Sequence, residues 1–222
     1  MLEPDVIYED NHLLVVIKPR NMPVMADGSG DADLQEGLKA WLKEKYGKPG
    51  NVFLGIVHRL DRPVGGVMVF AKTSKAASRL SAQIRDRETG KEYLAVVHGV
   101  PASPEGRLRD FLLKDEATRT VRVVRSDVPG AKEALLSYRA RAHANGLSLL
   151  TVRLETGRPH QIRVQLAHLG HPIVGDMRYG KGDETGIGIA LWCAVMEVDH
   201  PTTGKRMRFE ADPPAIWPWK AF

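Results

Sequence analysis

Residues 132–154 read KEALLSYRARAHANGLSLLTVRL, and the fold follows from their alternation. Ala134, Leu136, Tyr138, Ala140 and Ala142 occupy every second position, and Leu150, Val152 and Leu154 resume the same beat. A period of two marks strands with one buried face. Between the runs stands Asn145-Gly146, a pair that accepts the positive φ angles of a tight hairpin turn. The stretch is a long antiparallel hairpin, which argues against a doubly wound parallel sheet.

The flanking sequence extends that reading in both directions. Residues 91–98 (KEYLAVVH) form another strand, with Tyr93, Ala95 and Val97 facing one way and Leu94 and Val96 the other. Residues 13–17 (LLVVI) and 66–71 (GVMVFA) are short continuous apolar runs, expected of buried strands. Asp33 opens a helix with Glu36 as its capping-box partner; Leu34, Leu38, Trp41 and Leu42 follow at helical spacing, and Gly47 offers the stop. Thr73 or Ser74 caps a second helix running to about Arg85, with Ala76, Leu80 and Ile84 on one stripe. A third has Pro159 in its first turn and Ile162, Leu166 and Leu169 as its stripe, and ends at Gly170 and Pro172. Further strands are expected around 187–197 and 206–210. The predicted fold class is α+β: residues 1–222 as a single domain on a largely antiparallel mixed β-sheet with flanking helices.

Length and composition bound the function. The chain has 222 residues, of which 43% are hydrophobic and 27% charged, ordinary values for a folded globular protein. Disordered, collagen-like and disulfide-stapled classes are excluded. The lone Cys193 forms no internal disulfide and no cysteine-rich zinc site. The first residues, MLEPDVIYED, are acidic where a secretory signal would be basic, and the apolar run over 186–196 is too short to span a bilayer. A cytoplasmic protein with no membrane association is the expectation. Lysine and arginine number 32 against 27 acidic residues, giving a net charge of +5 and a pI near 9.3. That balance suggests a nucleic-acid partner. Arg119, Arg122 and Arg125 lie in one short stretch, and Arg153, Arg158, Arg163 and Arg178 in another.

Two segments carry the chemistry. The first is HRLDRPVGGVMVFAK, residues 58–72, where His58, Arg59, Asp61 and Arg62 crowd together just before a buried strand. The flanking arginines favour the ionised form of the acid. The plainer reading of such a pair is a surface ion pair at a strand entrance. A metal reading of His58 and Asp61 lacks companion ligands at diagnostic spacing, so no metal is expected. The second is TGRPHQIRVQLAHLGHPIVGDMRYG, residues 156–180. Arg163 stands beside the apolar stripe of its helix, so its guanidinium needs an acid if buried, and Asp61 is the natural candidate. Arg158, His160 and Gln161 sit at the helix start, where backbone N–H groups favour a phosphate.

With these segments quoted, the chain resembles the RluA family of RNA pseudouridine synthases. HRLDRPVGG looks like the family's catalytic motif, although Val64 and Gly65 stand where Thr and Ser are usual. DNHLLVVIKP (residues 10–19), KEYLAVVHG (residues 91–99) and GRPHQIRVQLAHLGHPIVGDMRYG resemble three further family motifs in order and spacing. The resemblance implies Asp61 as the essential aspartate, Tyr93 as the ring against the target uracil and Arg163 as the ion-pair partner of Asp61. The candidate RNA contacts are His58, Arg59, Arg62, Arg158, His160 and Gln161, and the resemblance implies that Arg59 helps to displace or replace a flipped nucleotide.

The implied reaction breaks the N1–C1′ bond of uridine, turns the base and rejoins it through C5. The product is an isomer, so no redox or group-transfer cofactor is needed, and the chain carries no phosphate-binding loop or dinucleotide fingerprint. Whether Asp61 attacks the sugar, adds to the base or removes the C2′ proton stays open. Two other readings compete. A glycosidase would ordinarily want a second carboxylate to handle water, for which Asp176 is a candidate. A non-catalytic RNA-binding module would explain the charge but not the set of Asp61, Tyr93 and Arg163. The substrate is expected to be ribosomal or transfer RNA, recognised by a monomer without a separate amino-terminal RNA-binding domain, through its catalytic domain and the 103–131 insert.

Overall fold

The computed structural model describes residues 2–180, Gly186 and 188–222. In chain order the elements are β1 (Asp5–Glu9), β2 (Leu13–Lys18), α1 (Leu34–Lys45), β3 (Gly55–Ile56), β4 (Gly65–Ala71), α2 (Ser74–Arg85), β5 (Gly90–His98) and β6 (Glu105–Asp115). They continue with β7 (Thr120–Val124), β8 (Lys132–Ala144), β9 (Leu147–Leu154), α3 (Gln161–His168), β10 (Leu191–Asp199) and β11 (Arg206–Glu210). The class is α+β with mostly antiparallel pairing, as the hairpin predicted. The chain forms two compact units: residues 1–91 with 193–212, and residues 92–192 with 213–222. No helix among the described residues is long and apolar enough to cross a membrane.

In the first unit the strand order is β1-β2-β4-β10, with β3 on β4 and β11 on β10. Leu13 to Val16 and Val67 to Ala71 are fully buried on both faces, which is why these segments lack alternation. Leu13, Val15, Val67, Val69, Met196 and Val198 pack with Ala76 and Leu80 of α2. Each Leu, Val or Met side chain among them contributes about 2 kcal/mol through burial. Both helix starts match the sequence: Asp33 accepts from the Glu36 N–H, and Thr73 from the Ala76 N–H. Glu36 turns to Lys39 instead of closing the capping box.

The second unit orders its strands β5-β9-β8-β6-β7, every pair antiparallel. Asn145 and Gly146 adopt φ of 53° and 73°, so the β8–β9 turn is the one the residue pair requires. The register shifts between Ala140 and Ala142, and Arg141 takes the extra position. Residues 103–131 are not an appended insert: most of them form β6 and β7, and β6 pairs with β8 along its length. The third helix also starts later than its sequence suggests. Pro159 precedes the N-cap, and His160 takes that position in the left-handed conformation with φ of 52°. Near the carboxyl end β11 has its expected bounds, and β10 runs 191–199 in place of 187–197; residue 187 lies outside the described residues.

One polar turn sets the β1–β2 hairpin and with it the start of β2. Asp10 Oδ1 accepts the N–H groups of His12 and Leu13 at 2.7 Å, and Oδ2 accepts from the Tyr8 hydroxyl at 2.9 Å and His200 Nε2 at 2.8 Å. Burial alone would raise the Asp10 pKa, but these bonds outweigh it and hold the group at about 2. The folded value lies below the unfolded one, so the stabilisation is present above pH ~4 and is lost as pH falls through about 2. Asp10→Asn should lower stability at pH 7 by about 2 kcal/mol. Thermal melts from pH 7 downward should show the gap to wild type closing as pH approaches 2.

Candidate active site

The acid of the HRLD segment sits on a turn held from inside the first unit. Asp61 is half-buried, and its carbonyl accepts the Val64 N–H at 2.9 Å, closing the turn immediately before β4. Beneath that turn lies Lys18, the last residue of β2 and 0% exposed. Its Nζ donates to the carbonyls of Pro19 at 2.9 Å, Arg62 at 3.0 Å and Val64 at 2.7 Å. Three acceptors meet the three N–H donors of an ammonium. Burial pushes the Lys18 pKa down to about 7, against the pull of the Asp61 charge, while Arg62 lowers it further. The acid turn is thereby clamped just after Asp61, at the carbonyls of Arg62 and Val64, by one buried lysine.

The neighbouring side chains divide by environment. His58 is buried, and its Nε2 accepts the Val69 N–H at 3.0 Å; burial, with Lys91 nearby, holds its pKa at about 3. It fastens the turn to β4 as a neutral ring, which corrects the expectation of an RNA contact. Arg59 is exposed. Arg62 reaches across to the segment after β2, where it donates to the Asn21 carbonyl, Asp27, Ser29 and Asp31.

In the second unit Tyr93 lies on β5, 7% exposed and opposite Val152 of β9. Arg163, on α3, forms a two-pronged pair with Asp176: Nε to Oδ2 at 2.8 Å and Nη2 to Oδ1 at 2.7 Å. The side chains are 7% and 1% exposed. Burial would raise the Asp176 pKa, but the Arg163 guanidinium and the N–H groups of Arg178 and Tyr179 hold it below the usual carboxylate range. Asp176 is therefore a committed acceptor, not a carboxylate poised to activate water, and the glycosidase reading loses its second acid.

At the start of α3 the three expected RNA contacts also divide. Gln161 is buried; its Oε1 accepts from Thr156 and the Arg158 N–H, and its Nε2 donates to the Leu135 carbonyl. Gln161 ties the helix to β8, so its side chain belongs to the framework. Arg158 Nε donates to the Glu133 carbonyl at 2.9 Å, and His160 Nδ1 meets the Tyr179 hydroxyl at 2.6 Å; both side chains remain partly exposed. Arg119, Arg122 and Arg125 all stay exposed, and the Arg119 backbone carbonyl accepts from Arg178. Among the described residues no three His, Cys, Asp or Glu side chains gather as a metal site.

The fold defines the class. Two solved human structures, RNA Pseudouridylate Synthase Domain Containing 4 and Domain Containing 1, superpose with TM-scores of 0.80 and 0.77. They cover 95% and 96% of this chain and 88% and 85% of their own at 21% and 22% identity, a likeness of fold. The family described as RNA pseudouridylate synthase matches residues 12–168. An RNA pseudouridine synthase of Bacillus subtilis is 35% identical over 96% of this chain and 70% of its own length. Ribosomal large subunit pseudouridine synthase D of Zymomonas mobilis is 36% identical over 95% and 69%, and that of Pseudomonas aeruginosa 35% over 98% and 71%. The chain belongs to the RNA pseudouridylate synthase family, in its RluA branch, and is an isomerase acting on RNA.

Lys18, Tyr179 and the role of Asp176 are what the sequence reading missed. The Lys18 clamp yields a test. Its folded pKa lies below the unfolded value of 10.5, so between pH 7 and 10.5 the unfolded chain binds the proton more tightly. Lys18 therefore makes stability rise with pH across that window. Lys18→Met should flatten the rise and, by stranding buried carbonyls, cost about 2 kcal/mol or more at pH 7. Melts of both proteins at pH 7 and 9.5 check both effects.

Proposed function

We propose that this enzyme converts specific uridines of large-subunit ribosomal RNA to pseudouridine, with Asp61 as the essential carboxylate. The observation that carries the reading is the acid turn: Asp61 stands in the HRLD segment, on a backbone fixed at Arg62 and Val64 by the buried Lys18. A glycosidic bond is best approached by a carboxylate whose position is set before substrate arrives, because positioning converts lost motional freedom into rate. The names of the relatives, ribosomal large subunit synthases of several bacteria, support the ribosomal substrate over transfer RNA.

Tyr93 supplies a ring wall for the uracil, and Arg163 the guanidinium of the reaction centre. The target must leave its stack to reach Asp61, and exposed arginines such as Arg59 suit the strand around it. Arg62 reaches RNA by exchanging the Asp27 and Asp31 carboxylates for phosphate, since both present oxygens to a guanidinium fork. With Asp61 acting on the target nucleoside, the N1–C1′ bond breaks and its electron pair leaves on the uracil; the base turns against Tyr93, C5 bonds to C1′, the C5 hydrogen leaves as a proton to water and N1 takes a proton from water.

Asp61→Asn is nearly isosteric and should abolish pseudouridine formation while RNA binding survives; turnover close to wild type would remove Asp61 from the site. Arg163→Met should fold and be nearly inactive per folded molecule. Mapping pseudouridines in a strain lacking the gene should reveal missing positions in large-subunit ribosomal RNA, and losses confined to transfer RNA would overturn the substrate assignment.

A further inference from the structure

The segment after α3 is built with more care than a connection needs. Residues 172–174 lie along β5, the strand that carries Tyr93: the His98 N–H donates to the Pro172 carbonyl at 3.0 Å, and the Val174 N–H to the Val96 carbonyl at 2.9 Å. Ile173 forms a bridge with Val97. Gly175 then turns with φ of 73°, where a Cβ would lie 2.2 Å from the Gly188 carbonyl oxygen, so no other residue fits. The next residue is Asp176. Its own N–H bonds to the Ile173 carbonyl, and its carbonyl accepts the Gly180 N–H at 2.9 Å. The carboxylate is thus delivered from a backbone pinned on both sides.

What it receives is the Arg163 guanidinium, in the fork already described. Oδ1 also accepts the N–H groups of Arg178 at 2.9 Å and Tyr179 at 3.2 Å, which fixes the carboxylate plane. The Tyr179 ring lies 5.1 Å from the guanidinium carbon and supports its face. That ring is held in turn: its hydroxyl oxygen accepts the Val121 N–H from β7 at 2.9 Å and meets His160 Nδ1 at 2.6 Å. The guanidinium therefore has one edge and one face fixed. The fork takes two of its N–H donors, at Nε and Nη2, and aims the Nη1 end away from Asp176.

We infer that Asp176 is a positioning residue for the reaction, registering the Arg163 guanidinium against the strand that carries Tyr93. The inference rests on the reading above that Arg163 belongs to the reaction centre. A merely structural ion pair would need neither the glycine turn nor the seat on β5, and its charge alone would suffice. Asp176 instead sets where the Arg163 donors point, so a carboxylate of the wrong reach should fail even though its charge is right.

The test compares Asp176→Asn, Asp176→Glu, Arg163→Lys and Arg163→Met, together with the double variant Arg163→Lys/Asp176→Asn. Turnover on ribosomal RNA is measured per folded molecule, with KM alongside. Asp176→Asn keeps the shape and loses the charge. Asp176→Glu keeps the charge and shifts the fork by about one methylene, so it tests positioning even if the Asn variant does not fold. Both should lose turnover by about a hundredfold with KM little changed. In the Arg163→Lys background, where the fork is already gone, Asp176→Asn should add less than about twofold, because the two act as one unit. Wild-type turnover in Asp176→Glu, or losses that multiply in the double variant, would overturn the inference. A fully active Arg163→Met would instead overturn the reading of Arg163 itself.

Discussion

A single buried ammonium organises the acid turn. Lys18 carries its amine off the end of β2 into the interior, where it donates to three backbone carbonyls. A buried charge is tolerated only when its donors are met, and here each has its acceptor. Because two of those carbonyls belong to Arg62 and Val64, folding β2 into the sheet also fixes the turn that presents Asp61. The strand-forming apolar run and the chemistry of the acid are thereby one construction, and the neutral, buried His58 completes it by fastening the same turn to β4.

The second unit solves a similar problem with a buried cation that meets a carboxylate. Arg163 is drawn inward by the apolar neighbours of α3 and meets Asp176, a carboxylate that four N–H contacts keep ionised. Burying such a pair brings little net stability, since desolvation offsets attraction, while losing one partner costs about 3–5 kcal/mol. A pair of this kind is better explained by what it orients than by what it stabilises. The same commitment removes Asp176 as a carboxylate for activating water.

Much of this was legible in the sequence where the signal is local. The β8–β9 hairpin followed from alternation and Asn145-Gly146, and the helix starts at Asp33 and Thr73 followed from side chains that bond the predicted N–H groups. The α3 start was misplaced because Pro159 suits a first helical turn, whereas the chain uses His160 in a left-handed N-cap. Strands β6 and β7 escaped notice because only Leu112 and Val121 are buried along them, too few to set a period. Lys18 stands only as the end of an apolar strand before Pro19; its acceptors in the acid turn lie 44 and 46 residues away and leave no local trace. The HRLD segment and the residues around Arg163 stood out as motifs, but which acid Arg163 forks depends on the turn at Gly175, beyond any pattern on the helix.

The central claim is the proposed reaction, in which Asp61 is the working carboxylate and uridine is isomerised without release of the base. It is tested most directly by incubating the purified protein with ribosomal RNA whose uridines carry tritium at C5. Rejoining through C5 expels that hydrogen, so tritium should pass to water in step with pseudouridine formation while no free uracil accumulates. Free uracil appearing in step with the loss of uridine would contradict the account, because it would require a second acid for water where the structure has committed Asp176 to Arg163.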